Sequence, residues 1–274
     1  MRASSFTASL GLLALLCSNL AGCIGREGPS DAGPDPADAG HVPVDAGDED
    51  PDTGPVSLHV VHRVDGAALE FTDDSTPYTN AAGNQYQLSR LMYFVTDVTI
   101  TMADDSTLTA TGPHYVDQDD AASQTWLVGA DVVPGALQSI SFTMGIPASQ
   151  NTTGSLPNPP ESLMEWPDSM GGGYHYMKLE GRYLNTAGEL ANLRAHTGPT
   201  DGTDFSFRVT LDATGRSIPE GGATLDVVMN IDEWFKSPHT WDFNSYFQIA
   251  GIMDDATKQH ELKENGADVF TLED

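Results

Sequence analysis

From Val56 onward, apolar and polar residues alternate in short runs. Val56, Leu58 and Val60 alternate with Ser57 and His59, and this period of two gives a β-strand one apolar face. Glycine, proline, asparagine and aspartate separate the runs, as they do in turns between antiparallel strands. No alternation of strands with long helices occurs, so the pattern predicts an all-β, antiparallel β-sandwich. The other predicted strands cover residues 86–102, 139–145, 174–183, 205–211 and 223–231.

One short helix is predicted near the C-terminus, over residues 257–264. Asp254 or Asp255 is a suitable N-cap because its carboxylate can accept a backbone N–H of the first turn. Asn265 and Gly266 follow as a C-cap signal. We expect this helix to cover one end of the sandwich, and we assign residues 56–274 to a single domain.

The first 22 residues have the features of a signal peptide. Arg2 is basic, and the apolar segment from Leu10 to Cys17 is too short to span a bilayer. The signal ends in Leu-Ala-Gly followed by Cys23, which is the lipobox pattern of bacterial lipoproteins, although an ordinary secretory signal with an unrelated cysteine is an alternative. The lipobox predicts a lipid-anchored protein of the cell envelope that faces the periplasm or the cell surface. Because Ile24 rather than aspartate follows the cysteine, we expect the anchor to lie in the outer membrane.

Residues 23–55 are predicted to be the lipidated cysteine and a disordered acidic linker. Residues 24–55 contain six prolines, six glycines and nine acidic residues, and they have almost nothing that can pack into a core. An Asp-Ala-Gly tripeptide repeats there three times at a step of seven residues, without the apolar seam of a coiled coil. We expect this linker to hold the domain away from the membrane.

The chain is strongly acidic, with 40 Asp and Glu against 12 Lys and Arg and a formal net charge of −28. From Val56 onward there are 31 acidic and 10 basic residues. Such a surface repels nucleic acids and anionic lipid. This excludes binding to DNA or RNA, and binding to a membrane through a polybasic segment. It could instead attract cations or a basic redox protein.

No motif of an enzyme is found, and we predict a protein without catalytic activity. The two cysteines, Cys17 and Cys23, lie in the signal and the lipobox, so the domain has no disulfide and no nucleophilic thiol. The chain also lacks a G-x-S-x-G sequence, a phosphate-binding loop, a dinucleotide fingerprint and a C-x-x-C-H haem site.

Histidine and methionine are the side chains best suited to chemistry here. Without thiols, imidazole and thioether together favour copper over structural zinc. Alternation places His62 on the inner face of the first strand and His59 on the opposite face, so the two cannot share an ion. His62 is either a hydrogen-bonded core residue or a metal ligand, and His175, which shares a face with Met177 and Leu179, has the same two interpretations.

A set of short segments occurs in a characteristic order along the domain. They are HRVDG (62–66), YTNAAG (78–83), LMYF (91–94), YVD (115–117), VPG (133–135), FTMGIP (142–147), MEW (164–166) and GYHYMKLEG (173–181). This set, which extends over residues 56–270, resembles the MbnP-like family of periplasmic copper-binding lipoproteins. Members of that family are found beside methanobactin and related metallo-mystery pair systems.

The resemblance implies a β-sandwich that binds one copper ion through histidines. The family's early histidine falls on His62, and the histidine of its later H-x-G element falls on His196. Its Met-x-Trp element falls on Met164 and Trp166, and this tryptophan is implied to be oxidised to kynurenine by a dihaem partner of the cytochrome c peroxidase type. A second tryptophan of the family is replaced here by Asp168.

The hypothesis from the sequence is therefore a copper site built from His62 and His196, with Met164 or His175 as a weaker third donor. Trp166 is either the modified residue or an ordinary core residue, which is the commoner role of an aromatic side chain before a strand. Two other functions remain open, namely a surface-tethered adhesion or glycan-binding module and a purely structural lipoprotein domain.

We expect the substitution Cys23→Ser to abolish lipid attachment and association with membranes, because the acylated sulfur would be lost. Mass spectrometry of the mature N-terminus and membrane fractionation measure both effects. Continued membrane association, with an acyl group on another peptide, would contradict the prediction.

Overall fold

The alternating segments form strands that assemble into two packed sheets. The structure is a computed structural model, and it describes residues 52–73, 75–247 and 251–273. All of these residues belong to one compact unit, Glu49–Asp274. The predicted signal, Cys23 and the linker up to residue 51 lie outside the described residues. None of the helices in the described residues is long and apolar enough to cross a membrane.

The smaller sheet is built around the first strand, β1 (Gly54–Val64). Its other members are β2 (Ala67–Ala68), β6 (Thr125–Val132), β12 (Ala223–Asn230) and β13 (Phe270–Leu272). β1 pairs antiparallel with β2 and β6 and parallel with β12, which in turn pairs antiparallel with β13. The parallel pair is possible because most of the domain separates β1 from β12 along the chain, so that the return needs no tight hairpin.

The larger sheet has the order β10-β7-β4-β8-β9, with β3 and β5 also paired to β4 and β11 paired to β7. All of its pairs are antiparallel. The strands are β3 (Tyr78–Thr79), β4 (Gln85–Met102), β5 (Thr107–Asp117), β7 (Gly135–Met144), β8 (Met177–Leu184), β9 (Leu190–Thr197), β10 (Phe207–Asp212) and β11 (Ser217–Ile218).

The long strand β4 changes partner along its length. Its residues 86–93 pair with β8, and its residues 95–102 pair with β7. At Asp97, φ is 53° and the register with β5 shifts, so one residue bulges out of the ladder. The Asp97 carboxylate accepts a hydrogen bond of 2.9 Å from the backbone N–H of Gly112, which holds the bulge in place.

The core lies between the two sheets. On β1, Val56, Leu58 and Val60 are each no more than 1% exposed, as the alternating pattern predicts. A second, smaller cluster lies beneath the long connection between β7 and β8. It consists of Phe94, Tyr115, Ile146, Met164, Tyr174, Tyr176 and Phe205.

Two α-helices follow β12 along the chain, α1 (Phe243–Tyr246) and α2 (Ala256–Asn265). The predicted C-terminal helix is α2, and its N-cap is Asp255, whose carboxylate accepts from the backbone N–H groups of Thr257 and Lys258 at 3.1 Å. Short 3-10 turns cover Ala121–Gln124, Glu161–Met164, Asp168–Met170, Ile231–Phe235 and Gly266–Asp268.

The predicted all-β sandwich with a short C-terminal helix is confirmed, whereas the boundaries of several strands differ. β1 begins at Gly54, two residues inside the predicted linker, because Gly54 packs without a side chain against Gly221. Seven strands were not predicted from the alternation, namely the longer strands β5, β6 and β9 and the short strands β2, β3, β11 and β13. Burial alternates along β9 and the first half of β5, but small residues such as Ala110, Ala191 and Ala195 take several of the inward positions, so the apolar signal in the sequence is weak. Along β6, burial has no regular period.

Candidate metal centre

His62 lies where the alternation on β1 predicts, inside the sandwich. It is 4% exposed, and its Nε2 atom lies 2.9 Å from the hydroxyl of Tyr93 on β4, in the facing sheet. Burial lowers the pKa of His62 to about 4, against a smaller opposing effect of the nearby Gln118 side chain. His62 is therefore a neutral imidazole that joins the two sheets through Tyr93.

His175 and His196 are brought together on the other face of the larger sheet. Their ring centroids lie 5.2 Å apart with the planes at 80°. His196 is registered with Lys178 on the outer face, whereas Met177 and Thr197 form the next pair on the inner face. His175 was predicted to share the face of Met177, but it precedes the first residue of β8, and its ring contacts His196 on the outer side instead.

Each of these two rings has one nitrogen already occupied. The Nδ1 atom of His175 lies 2.9 Å from the main-chain carbonyl oxygen of Met164, and Nε2 of His196 lies 2.8 Å from Oε1 of Glu180. Because both acceptors lack a proton, these contacts assign the N–H to those two nitrogens. They leave Nε2 of His175 and Nδ1 of His196 as the atoms with lone pairs for a metal ion.

The charge state of His175 also suits metal binding. Burial, and then the charge of Lys178, lower the pKa of His175 to about 3, so its ring is neutral at any physiological pH. The hydrogen bond from His196 lowers the pKa of Glu180, which keeps this carboxylate ionised as the acceptor. Protons therefore compete little with a metal ion for His175.

Trp166 forms the wall of the site next to His175. Its ring lies 4.7 Å from that of His175 at 70°, and the residue is 1% exposed. Its indole nitrogen is buried and has no hydrogen-bond partner among the described residues. A Cβ atom on Gly198 would lie 2.5 Å from Cε3 of Trp166, so glycine in the sequence His196-Thr197-Gly198 provides the space for the indole.

Helix α2 holds the strand that carries His196. Gln259, which is 1% exposed, donates from Nε2 to the carbonyl oxygen of His196 at 2.8 Å. Its Oε1 accepts from the backbone N–H of Gly198 at 3.2 Å. The C-terminal helix thus does more than cover the sandwich, since it fixes the backbone on both sides of Thr197.

The predicted donors are not all brought together. His62 points into the space between the sheets, and the larger sheet lies between it and His196. Met164 contacts His175 through its main-chain carbonyl, while its side chain packs into the second hydrophobic cluster. Within residues 52–73, 75–247 and 251–273, no group of three His, Cys, Asp or Glu side chains converges as a ready metal site.

Sequence reasoning missed Glu180 and Gln259, the two side chains that orient His196 and its strand. Glu180 lies two residues after Lys178 and shares the outer face of β8 with it, so the period of two predicts the orientation of its side chain. Its contact with His196 depends on the register with β9, a strand that was not predicted.

We expect Gly198→Ala to lower the free energy of unfolding by about 1–3 kcal/mol, because the new methyl group must displace the Trp166 ring. Denaturant unfolding measures the loss, and near-ultraviolet circular dichroism reports the tryptophan environment. Gly251→Ala is the matched control, since none of the described residues has an atom within 4 Å of a Cβ at that exposed position. Equal stability of the two variants would show that Trp166 does not pack on Gly198.

Comparison with known proteins supports the architecture. The structure of MbnP from Methylosinus trichosporium aligns with a TM-score of 0.54 over 80% of this chain and 98% of that chain, at 14% sequence identity. A comparison with curated protein sequences found no match. The model of the MbnP family matches residues 53–254, which include His62, Trp166, His175 and His196. The chain belongs to the MbnP family.

Proposed function

We propose that this chain is a copper-binding lipoprotein of the cell envelope that acquires, stores or passes on copper through His175 and His196. The observation that carries the proposal is the pair of rings 5.2 Å apart, each with its other nitrogen fixed by a hydrogen bond. A metal–nitrogen bond is about 2 Å long, so rings this close can bind a single ion. Membership of the MbnP family, whose members are expected to bind copper, supports this assignment.

The donor set suits copper better than the other common metals. Imidazole is a good ligand for copper, and the domain has no cysteine with which to build a structural zinc site. Glu180 and the Met164 carbonyl orient the two rings, as outer partners of metal-binding histidines do. Copper is the cargo in this proposal, and the chain has no catalytic role.

We expect His175→Ala and His196→Ala each to weaken Cu(I) binding at least about tenfold, because one of two strong donors is lost. Competition with a chromophoric Cu(I) chelator measures the affinity. His59→Ala is the control with no loss, since the His59 ring bonds Asp226 at 2.7 Å in the smaller sheet.

His62→Gln decides between this assignment and the one made from the sequence. If His62 lies away from the metal, copper is retained with nearly unchanged affinity. Loss of copper in His62→Gln together with its retention in His175→Ala would overturn the proposed pair and restore the site built on His62.

We further propose that Trp166 is oxidised to kynurenine by a dihaem partner of the cytochrome c peroxidase type. The motive is the contact of its indole with His175, which would place the product's aromatic amine and ketone beside the metal. This ring opening is a four-electron oxidation in which the indole C2 leaves as formate and oxygen is added from water or peroxide. The chain has no C-x-x-C-H haem site of its own, so the partner must accept the electrons and pass them to an oxidant such as hydrogen peroxide.

We expect Trp166 to be intact when the protein is made alone and oxidised when it is made with an active dihaem partner. Peptide mass spectrometry detects the loss of one carbon and the gain of one oxygen. Trp234 and Trp241 are internal controls, because they are equally buried but lie in the main core. An intact Trp166 after co-expression would leave it as a packing residue.

The alternative of a glycan-binding module receives little support. Sugars stack on exposed aromatic faces, but Trp166, Trp234 and Trp241 are each no more than 1% exposed. The fourth tryptophan, Trp126, is partly buried and stacks on His114 with a centroid distance of 4.1 Å. These rings contribute to packing rather than to an open platform.

A further inference from the structure

The outer face of β4, β8 and β9 carries three rows of aligned side chains beside the histidine pair. The registers place Gln87, Arg182 and Asn192 in the first row and Arg90, Glu180 and Arg194 in the second. The third row is Met92, Lys178 and His196. We call the nine residues of these three rows the outer strip.

The outer strip is basic on an acidic protein. It holds Arg90, Lys178, Arg182 and Arg194, which are four of the ten basic residues from Val56 onward, and a single carboxylate. The formal net charge of the whole chain is −28. Clustering of the rare positive charges on one sheet face makes the local potential less negative than that of the rest of the surface.

Much of this positive charge is available to a partner. Arg182 and Arg194 are exposed, and neither forms an ion pair within the described residues. Glu180 is already occupied, since it accepts from Arg90 at 3.1 Å and from His196 at 2.8 Å. Arg182 and Arg194 line an open groove of about 340 Å³, together with two carboxylates, Asp73 and Glu180, and with the polar side chains of Gln87, Ser89 and Asn192.

The strip is continuous with the candidate metal centre. His196 ends its third row, and the neighbouring Lys178 donates from Nζ to the carbonyl oxygen of Leu163 at 2.7 Å. Leu163 precedes the segment that carries Met164 and Trp166. A molecule bound on the strip would therefore lie against the edge of the His175 and Trp166 cluster.

We propose that the outer strip is the docking surface for a protein partner that presents an acidic patch. Charge complementarity selects the occupant, since the strip presents four basic side chains against one carboxylate on an otherwise acidic protein. The acidic composition alone favours a basic partner, but such a partner would bind away from the histidines. The proposal deepens the proposed function, because it states the chemistry of the surface through which another protein would reach Trp166 or the copper.

The test is a titration of the isotope-labelled full mature chain with a short poly-L-glutamate peptide, followed by nuclear magnetic resonance at physiological ionic strength. We expect shift changes in β8 and β9 around Arg182, Arg194 and His196. The double variant Arg182→Gln/Arg194→Gln should bind about tenfold more weakly, because two exposed charge contacts are lost. The matched control is Lys236→Gln/Lys263→Gln, which removes the same charge outside the strip and should bind normally.

Poly-L-lysine in the same titration should perturb other surfaces and leave the strip unchanged. Shift changes elsewhere with poly-L-glutamate, no binding at all, or equal weakening in the two double variants would each overturn the proposal. Copper affinity of Arg182→Gln/Arg194→Gln should equal that of the wild type, since neither arginine bonds the histidine rings. The copper measurement therefore tests the metal site separately from the docking surface.

Discussion

The pairing of β4 with four other strands is the constraint on which the rest of the structure depends. β8 and β7 pair with successive parts of this strand, and β3 and β5 pair with it as well. β4 changes partner between Tyr93 and Val95, and the chain that leaves β7 at Met144 forms a long connection before it returns as β8. That connection carries Met164 and Trp166 over the outer face, where β9 presents His196.

Hydrogen bonds to one main-chain carbonyl and to one carboxylate then determine which ring nitrogen of each histidine can bind a metal ion. Burial favours the neutral form of an imidazole. When one nitrogen of a neutral ring donates a hydrogen bond, only the other nitrogen has a lone pair for a metal ion. The Met164 carbonyl and Glu180 supply this constraint for His175 and His196. His62 is equally buried, but its contact with Tyr93 makes it part of the inter-sheet packing.

Electrostatics act on two scales in this protein. The net charge of −28 keeps molecules apart in solution and excludes polyanions over most of the surface. The outer strip concentrates positive charge locally, because three neighbouring strands align four basic residues on one face. The candidate metal centre lies at the end of this strip, so the same strand register that assembles the histidines also determines the charge around them.

The sequence by itself determined the class of fold, the inner position of His62 and the C-terminal helix with its cap at Asp255. These features depend on local periodicity and on capping, in which the interacting residues are close along the chain. It also singled out His196, Trp166 and Met164 through the family resemblance, and His175 through its place beside Met177. The sequence combined His196 with His62, whereas the structure places these two rings on opposite faces of the larger sheet.

Only the tertiary structure decided which histidines meet. The contact of His175 with His196 requires the register between β8 and β9 and the exact residue at which β8 begins, and neither is encoded by the pattern of apolar residues alone. Glu180, Gln259 and the aligned arginines follow from the same register. Strand pairing joins residues that are far apart in sequence, so a site built across strands appears when the sheet is assembled and not before.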